Sequence, residues 1–343
     1  MESKQLALWS QRSESCPFVD FIEEEDESCF SFGHYRNGYE VVGEDHADFA
    51  KWIADIGNVG FDNITGQPTP DLNLPAFIPV VTRGSGKILN GIIPPEFVGV
   101  SLGDVVNEKT LEAPDEIRKK FGIDQKSKII LLCFGKDNLI EKIWTERRST
   151  FSKIASLGFD LVTGINYSVW FDQPHSERLI NLKRGLITFK EFQDLRIPAI
   201  PHIYWFGDKD ILRWCNWLNN NPNVKIIAIN TQTEKSQEVW EKTIKGLEFF
   251  MSHLANKKIH FLITGPSRPK RIDQIKNILP KFSIANGFCS RQSESGFLIN
   301  PIGDTIKSQY SNTPRNEIML KNMALYKRFI EADSYASERK LTL

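Results

Sequence analysis

The sequence predicts an α/β fold, specifically a (β/α)8 TIM-type barrel with an irregular acidic N-terminal extension and a C-terminal helix. From residue 76 onward, eight short apolar runs alternate with longer polar stretches of helical period. Such alternation indicates parallel strands, because a parallel neighbour needs a crossover connection. The span of these units, 76–288, fits a barrel of roughly 200–250 residues. A doubly wound open parallel sheet is the alternative.

Three parts of the chain differ in pattern. Residues 1–75 form the acidic N-terminal extension, residues 76–290 the barrel domain, and residues 291–343 a tail with an amphipathic helix. Within the extension, residues 46–57 have the pattern of a short helix, and residues 63–75 are rich in Pro, Gly, Asn and Thr, which is typical of a loop or linker.

The elements of the barrel domain follow from the same periodicity. The predicted strands are 76–81, 97–102, 128–134, 159–165, 197–205, 224–230, 259–265 and 282–288. The predicted helices are 138–158, 176–185, 188–196 with Thr188 as a candidate cap, 209–220, 236–256, 268–281 and a final helix over 315–333. The connection between the first two strands contains too much Gly and Pro for a full helix.

The charge is divided unevenly along the chain. Residues 1–75 contain 15 acidic and 4 basic side chains, a balance of −11, whereas the remaining residues carry +11. A split of this kind indicates a nucleic acid or phosphate partner. An acidic segment that packs against the basic body explains it equally well, and both hold if the segment is an electrostatic cover.

The composition bears on location and on metal chemistry. No apolar run approaches the ~18 residues that a membrane helix needs, so we expect no membrane partner. The start of the chain has no signal-peptide pattern, and the five cysteines lack zinc-ligand or redox-pair spacing. A cytoplasmic protein with free thiols is the simplest interpretation. The six histidines form no ligand pair, so we expect no metal site and no cofactor.

Candidate site residues follow from the barrel prediction, because ligands bind at the carboxyl ends of barrel strands. Two consecutive strand ends repeat a pattern of aromatic residues followed by a carboxylate, over residues 170–172 and 205–208. Carboxylates can act as nucleophile or as general acid/base, and aromatic rings stack on bases. The predicted catalytic residues are therefore Asp172 and Asp208. The predicted base-stacking residues are Tyr167, Trp170, Tyr204 and Trp205, although core packing explains any one of them as well.

Two further strand ends carry candidate substrate contacts. Asn230 and Gln232 follow the sixth strand and are predicted to read the edge of a base. The stretch "TGPSRPKR" after the seventh strand resembles a phosphate site, because a glycine allows a close turn and a helix N-terminus attracts anions. Arg268 and Arg271 are predicted to hold phosphate there, unless they belong to a solvated helix start.

Two resemblances accompany these residues. The segments "GFDLVTGINYSVWFDQPHSERLINLKRGLITFKEFQDLRIPAIPHIYW", "VKIIAINTQT" and "FLITGPSRPKRI" resemble an uncharacterised barrel-type family of phages and mobile elements. The segment "LPAFIPVVTRGSGKIL" is similar to the first strand of tRNA-guanine transglycosylases, which are barrels that exchange a nucleobase through an Asp nucleophile. The Asp-Ser-Gly-Gly-Phe-Gln segment and the zinc cluster of that family are absent, so this resemblance assigns no nucleophile.

The sequence therefore supports two main functions. The first is a barrel enzyme that acts on a nucleobase, nucleotide or nucleic acid, by glycosidic base exchange or cleavage. The alternative is a non-catalytic subunit that binds nucleic acid or protein within a phage, mobile-element or defence assembly. A sugar-acting hydrolase is a third class, since aromatic platforms and paired acids also serve sugars.

Overall fold

The computed structural model describes residues 53–89, 94–107, 111–169, 175–302 and 305–332. Within these ranges one sheet contains eight parallel strands in the order β5-β4-β3-β2-β1-β8-β7-β6. The strands are β1 (Phe77–Val81), β2 (Phe97–Ser101), β3 (Lys128–Leu132), β4 (Leu161–Thr163), β5 (Ala199–Ile200), β6 (Ile226–Asn230), β7 (His260–Thr264) and β8 (Phe282–Asn286). All eight strands predicted from the sequence are confirmed.

The two ends of this sheet meet. A parallel bridge pairs His202, just beyond β5, with Ala228 in β6. The amide of Ile203 donates to the carbonyl oxygen of Ala228 at 2.8 Å, and the amide of Ala228 donates to Pro201 at 2.8 Å. The sheet is therefore a barrel, and the predicted (β/α)8 architecture is confirmed. Strand β5 is shorter than its predicted range because Pro198 and Pro201, which flank it, have no N–H for the ladder.

Side chains alternate between the inside and the outside of the barrel, as the period of two in a strand requires. One apolar cluster fills the interior, and a second, larger one lies between the strands and the surrounding helices. Ile200, Ala228 and Leu262 belong to the interior cluster. The residues two positions further along these chains therefore lie on the same inner side, nearer the carboxyl end, and are His202, Asn230 and Thr264.

Helices connect the strands and surround the barrel. They are α1 (Gly86–Leu89), α2 (Leu102–Val106), α3 (Pro114–Phe121), α4 (Asp137–Thr145), α5 (Arg147–Ser156), α6 (His175–Asp194), α7 (Asp208–Asn220), α8 (Gln237–His253), α9 (Pro269–Ile278), α10 (Phe288–Glu294) and α11 (Arg315–Glu331). Among the described residues between β1 and β2, the helical elements are a 3-10 turn and the short α1, in agreement with the Gly and Pro content of this connection. In the part of the chain that the structure describes, every helix is too short or too polar to cross a bilayer.

Two helix boundaries differ from the prediction. The predicted helices 176–185 and 188–196 are one continuous helix, α6 (His175–Asp194), rather than two. Gly185 does not end it: a Cβ at this position would lie 3.2 Å from the carbonyl oxygen of Ile165, so glycine allows the helix to approach the barrel closely. Thr188 bonds back to the carbonyl of Gly185 at 2.9 Å instead of capping a new helix. The predicted helix 138–158 is divided between α4 and α5.

The described end of the predicted acidic extension packs on the barrel domain. The ring centroids of Phe61 and Trp214 in α7 are 4.6 Å apart. The indole N–H of Trp217, also in α7, donates to the carbonyl oxygen of Ile64 at 2.7 Å. Residues 53–75 therefore share an apolar core with the helices around the barrel.

After the barrel, the chain adds a hairpin that the sequence patterns did not predict. It consists of antiparallel strands β9 (Phe297–Ile302) and β10 (Thr305–Tyr310). Asn322 in α11 holds β9, since its Oδ1 accepts from the amide of Ile299 at 2.9 Å and its Nδ2 donates to Phe297 at 2.9 Å. The helix α11 agrees with the predicted helix over 315–333.

Candidate active site at the barrel mouth

Because the eight strands are parallel, the loops after their carboxyl ends lie at the same end of the barrel. The candidate residues predicted from the sequence belong to the loops after β4, β5, β6 and β7. Trp170 and the predicted catalytic residue Asp172 lie outside the described residues. The other candidates can be placed individually.

Tyr167 is buried rather than open to a ligand. Its ring is 3.9 Å from the guanidinium carbon of Arg184 and packs edge-on against Trp144. Only 3% of the residue is exposed. Burial raises the pKa of its hydroxyl well above the ordinary value. The predicted stacking of a base on Tyr167 does not fit this geometry, because the cation of Arg184 already covers the ring.

Tyr204 and Trp205 behave differently from each other, although both are only partly buried. The ring of Trp205 stacks on Phe250 with an interplanar angle of 29°, and its indole fits against Gly246 of α8. That environment fixes Trp205 between barrel and helix. Burial and the negative charge of Glu234, in the loop after β6, raise the pKa of the Tyr204 hydroxyl to about 12, so this residue is a neutral phenol.

Asp208 is exposed and is the first residue of α7. A carboxylate in the first turn interacts favourably with the helix dipole. Its neighbour Asp210 is buried and accepts a hydrogen bond from the amide of Phe206 at 3.0 Å. Asp210 also pairs with Arg213 at 3.4 Å. Of these two carboxylates, only Asp208 is open to solvent, and the structure does not bury it in a pocket.

Asn230 and Gln232 lie at the carboxyl end of β6. Asn230 is buried, and its Oδ1 accepts from the hydroxyl of Thr264 at 3.0 Å and from the amide of Gln232 at 3.1 Å. Only the NH2 group of Asn230 therefore remains to contact a ligand. Gln232 is exposed. Its backbone packs against Gly265, where φ is 114° and an added Cβ would lie 2.7 Å from the Gln232 nitrogen.

Arg268 and Arg271 begin α9 and have different environments. Arg268 is exposed at the N-cap position. Arg271 instead donates to the carbonyl oxygens of Glu234, Lys235 and Ser236 in the loop after β6. The predicted phosphate contact therefore suits Arg268, whereas the guanidinium of Arg271 is engaged within the protein.

Glu234 is a candidate that the sequence reasoning missed. It follows β6, is 5% exposed, and its Oε2 has no hydrogen-bond partner among the described residues. Burial raises the pKa of its carboxyl to about 7, against a hydrogen bond from Thr243 and the charge of Arg271, which both lower it. The sequence signal was only the position of an acid in a strand-end loop, and burial is what distinguishes Glu234 from an ordinary surface acid.

His202 is a second buried polar group near the mouth. It occupies the bridge between β5 and β6, and its Nε2 has no partner among the described residues. Burial lowers the pKa of the imidazole to about 3, so the ring is neutral at physiological pH. The sequence pattern did not single out His202, whose buried, unpartnered nitrogen becomes visible only in the fold.

Together these groups are suited to proton transfer. Glu234, Tyr204 and His202 belong to the carboxyl ends of the neighbouring strands β5 and β6. A carboxyl whose pKa lies near the working pH can donate and accept a proton efficiently. Among the described residues, no group of three or more His, Cys, Asp or Glu side chains is arranged to bind a metal ion. The described cysteines, Cys133, Cys215 and Cys289, are buried free thiols.

No protein-family model matches this chain, and no curated protein matches it. The resemblances to a mobile-element barrel family and to tRNA-guanine transglycosylases therefore remain predictions from the residues quoted above. Function has to be argued from the site.

Proposed function

We propose that this protein is a barrel enzyme that acts on a nucleobase, nucleotide or nucleic acid, with Glu234 as the residue that transfers a proton. The observation that supports the proposal most is the position of Glu234. It is a buried carboxyl in a strand-end loop of a (β/α)8 barrel, with one oxygen that no described residue satisfies. A buried carboxyl with an unsatisfied oxygen destabilises a fold, and such groups cluster at functional sites.

Cleavage of a glycosidic bond is the reaction that fits these groups. As the bond from the anomeric carbon to the base nitrogen breaks, its electron pair goes to the nitrogen, and protonated Glu234 supplies the proton. A water molecule adds to the anomeric carbon and loses its proton to a second carboxylate. Asp172 and Asp208 are the predicted carboxylates for that step, and Asp208 is exposed at the start of α7.

Other residues at the mouth suit a ring-bearing, phosphorylated substrate. Tyr204 offers a neutral phenol within electrostatic range of Glu234. The NH2 group of Asn230 can donate to an acceptor on a base edge. Arg268 is exposed at the start of α9, where cation and helix N-terminus both favour an anion. Because Glu234 is buried, we expect the substrate to enter where the loops after β5 and β6 separate.

The experiment compares Glu234→Gln with Glu238→Gln on a panel of nucleosides and nucleotides, and measures release of the base and its exchange with labelled free base. Glu238 is a matched control, since it lies in α8 on the surface and pairs with Lys242 at 2.9 Å. We expect Glu234→Gln to lose about 10²–10⁴-fold in turnover, the usual contribution of acid–base catalysis, and Glu238→Gln to retain its activity. Full turnover by Glu234→Gln contradicts the proposed role.

The alternative, a non-catalytic subunit that binds nucleic acid, is favoured by one observation. Residues beyond 75 carry a net charge of +11. If the panel shows no turnover by the wild-type protein, binding to single- and double-stranded DNA and RNA is measured against salt. A steep loss of affinity with salt, without any nucleoside or nucleotide that raises the melting temperature, supports this alternative.

A further inference from the structure

Arg271 makes an unusual set of contacts for an arginine at the start of a helix. Its Nη1 donates to the carbonyl oxygen of Glu234 at 2.5 Å. Its Nη2 donates to Lys235 at 3.1 Å and to Ser236 at 3.3 Å. All three carbonyls belong to the short loop that carries Glu234 from β6 to α8. One guanidinium therefore holds the backbone of the whole second half of that loop.

The guanidinium is itself fixed from the other side. Its central carbon lies 4.5 Å from the centre of the Trp240 ring in α8, at the distance of a cation–π contact. The indole N–H of Trp240 donates to Gln274 of α9 at 2.8 Å. Because ring and guanidinium are both held, the arginine has little freedom to turn toward a ligand.

The position of Arg271 is electrostatically unfavourable for a cation unless the cation stabilises another group. Ser236 caps α8, with its hydroxyl oxygen 3.2 Å from the amide of Val239, so Arg271 lies at the positive end of the helix dipole. Stability alone would favour an acid or a neutral residue there. Charge-assisted bonds to three carbonyls offset this repulsion. The cation also stabilises the ionised form of the Glu234 carboxyl.

The charged and titratable groups around Glu234 come from two elements. Tyr204 interacts with it electrostatically from the loop after β5, and Arg271 does so from α9. Arg268, one turn earlier in α9, acts on the ionisation of Arg271. Of the two cations, only Arg271 is among the groups that shift Glu234.

We propose that Arg271 is a positioning residue for Glu234: it fixes the loop from β6 to α8 and keeps the carboxyl able to ionise in a buried site. This inference rests on the proposed role of Glu234, but its test does not require turnover. It replaces the phosphate contact that the sequence predicted for Arg271. Arg271 acts through Glu234 and does not touch the substrate.

The experiment is a titration of the full chain with 13C-labelled glutamate side chains, in which the Glu234 signal is identified by its loss in Glu234→Gln. We compare Arg271→Gln, Arg271→Lys and the control Arg268→Gln. Removing a nearby opposite charge raises a carboxyl pKa by about one unit or more. We therefore expect the Glu234 midpoint to rise by about that amount in Arg271→Gln and to stay near the wild-type value in Arg268→Gln.

Arg271→Lys separates charge from geometry, because lysine keeps the cation but cannot bridge three carbonyls. We expect its Glu234 midpoint to stay near that of the wild type, while the amides of residues 234–236 exchange hydrogen at least about tenfold faster, a loss of local stability of about 1.4 kcal/mol. If Arg271→Gln does not fold, Arg271→Lys carries the test alone. Wild-type exchange in Arg271→Lys, or an unchanged midpoint in a folded Arg271→Gln, overturns the inference. The turnover assay of Glu234→Gln tests the proposed function separately, so a failure of that function can be told from a failure of the role of Arg271.

Discussion

The guanidinium of Arg184 lies over the ring of Tyr167 and joins the loop after β4 to α4 and α6. Arg184 is fully buried, and its Nη2 is 2.6 Å from Oε2 of Glu141. The same guanidinium donates to Asn181 at 2.9 Å. A buried cation that pairs with a carboxylate and covers an aromatic ring fixes the loop instead of recognising a ligand. The loop that the sequence predicted to bind substrate is thus partly a structural element.

Tyr167→Phe should leave the protein unchanged in stability or make it slightly more stable. The hydroxyl of Tyr167 is buried and has no hydrogen-bond partner among the described residues. Its removal relieves a desolvation cost of about 1 kcal/mol, while the ring contact with Arg184 persists. Urea unfolding at neutral pH measures the difference. A loss above about 2 kcal/mol would show that the hydroxyl has a partner in solution.

Glu234→Gln should stabilise the fold at alkaline pH but not at acid pH. The folded-state pKa of Glu234 is raised to about 7 from 4.5, so the unfolded chain ionises at a lower pH than the folded protein. Ionisation of this group therefore favours unfolding. The penalty is absent below about pH 4.5, grows as pH rises and is complete above about pH 7. The amide resembles the protonated acid, and we expect a gain of about 3 kcal/mol at about pH 8. The measurement is unfolding free energy against pH, with Glu238→Gln as control.

His202→Leu should weaken the destabilisation of this protein by acid. Burial lowers the pKa of His202 to about 3 in the folded state from 6.5, so only the unfolded chain binds the proton between these values. Stability attributed to this group is complete above about pH 6.5 and is lost as pH falls toward about pH 3. At about pH 4.5, protonation of this histidine in the unfolded chain lowers the unfolding free energy of the wild type by about 2–3 kcal/mol. This contribution is absent in His202→Leu.

A second histidine, His260, provides the control for that titration. Burial and the charge of Lys281 lower the pKa of His260 to about 4, and its Nε2 lies 2.8 Å from the hydroxyl of Ser283. Its contribution remains in His202→Leu, so the variant should keep part of the acid dependence. An identical pH profile in wild type and variant would contradict the buried, neutral state of His202.

Phe61→Ala should destabilise the whole barrel, although residue 61 belongs to the predicted extension. Phe61 is buried against Trp214 of α7. Truncation of a buried Phe costs about 3–5 kcal/mol. Asp55→Ala is the control, because Asp55 is exposed. A single cooperative transition at a lower temperature is expected for Phe61→Ala, and an unchanged melting temperature would show that residues 53–75 are dispensable.

Much of the fold could be predicted because the barrel depends on a repeated local pattern. Each strand is a short apolar run, and most crossovers have helical period, so the eight strands were placed within a few residues. The division between α4 and α5 was not predicted. The continuity of α6 could not be predicted, since it depends on a contact between α6 and the loop after β4. Gly185, for example, has the signature of a helix end, but its role is set by the distance to Ile165.

The site was less predictable than the fold, because residue type and position do not determine burial. Tyr167 and Arg271 have the chemistry of ligand contacts, yet both are used within the protein. Glu234 has the type of an ordinary surface acid in a polar loop, and only its burial raises its pKa. Asp172 and Trp170 remain predictions from the sequence.

Because β5 is short, the border between β5 and β6 has little strand pairing. Two prolines restrict this strand to Ala199 and Ile200. Its pairing with β6 is therefore limited to the bridge at His202, whereas β6 and β7 share five residue pairs. Local opening should begin at the border between β5 and β6. The amides of Ile203 and Ala228 should therefore exchange hydrogen faster than those of the other strand borders. Tyr204 and Glu234 belong to the loops that follow β5 and β6, so opening of this border should bring solvent closer to the buried carboxyl of Glu234.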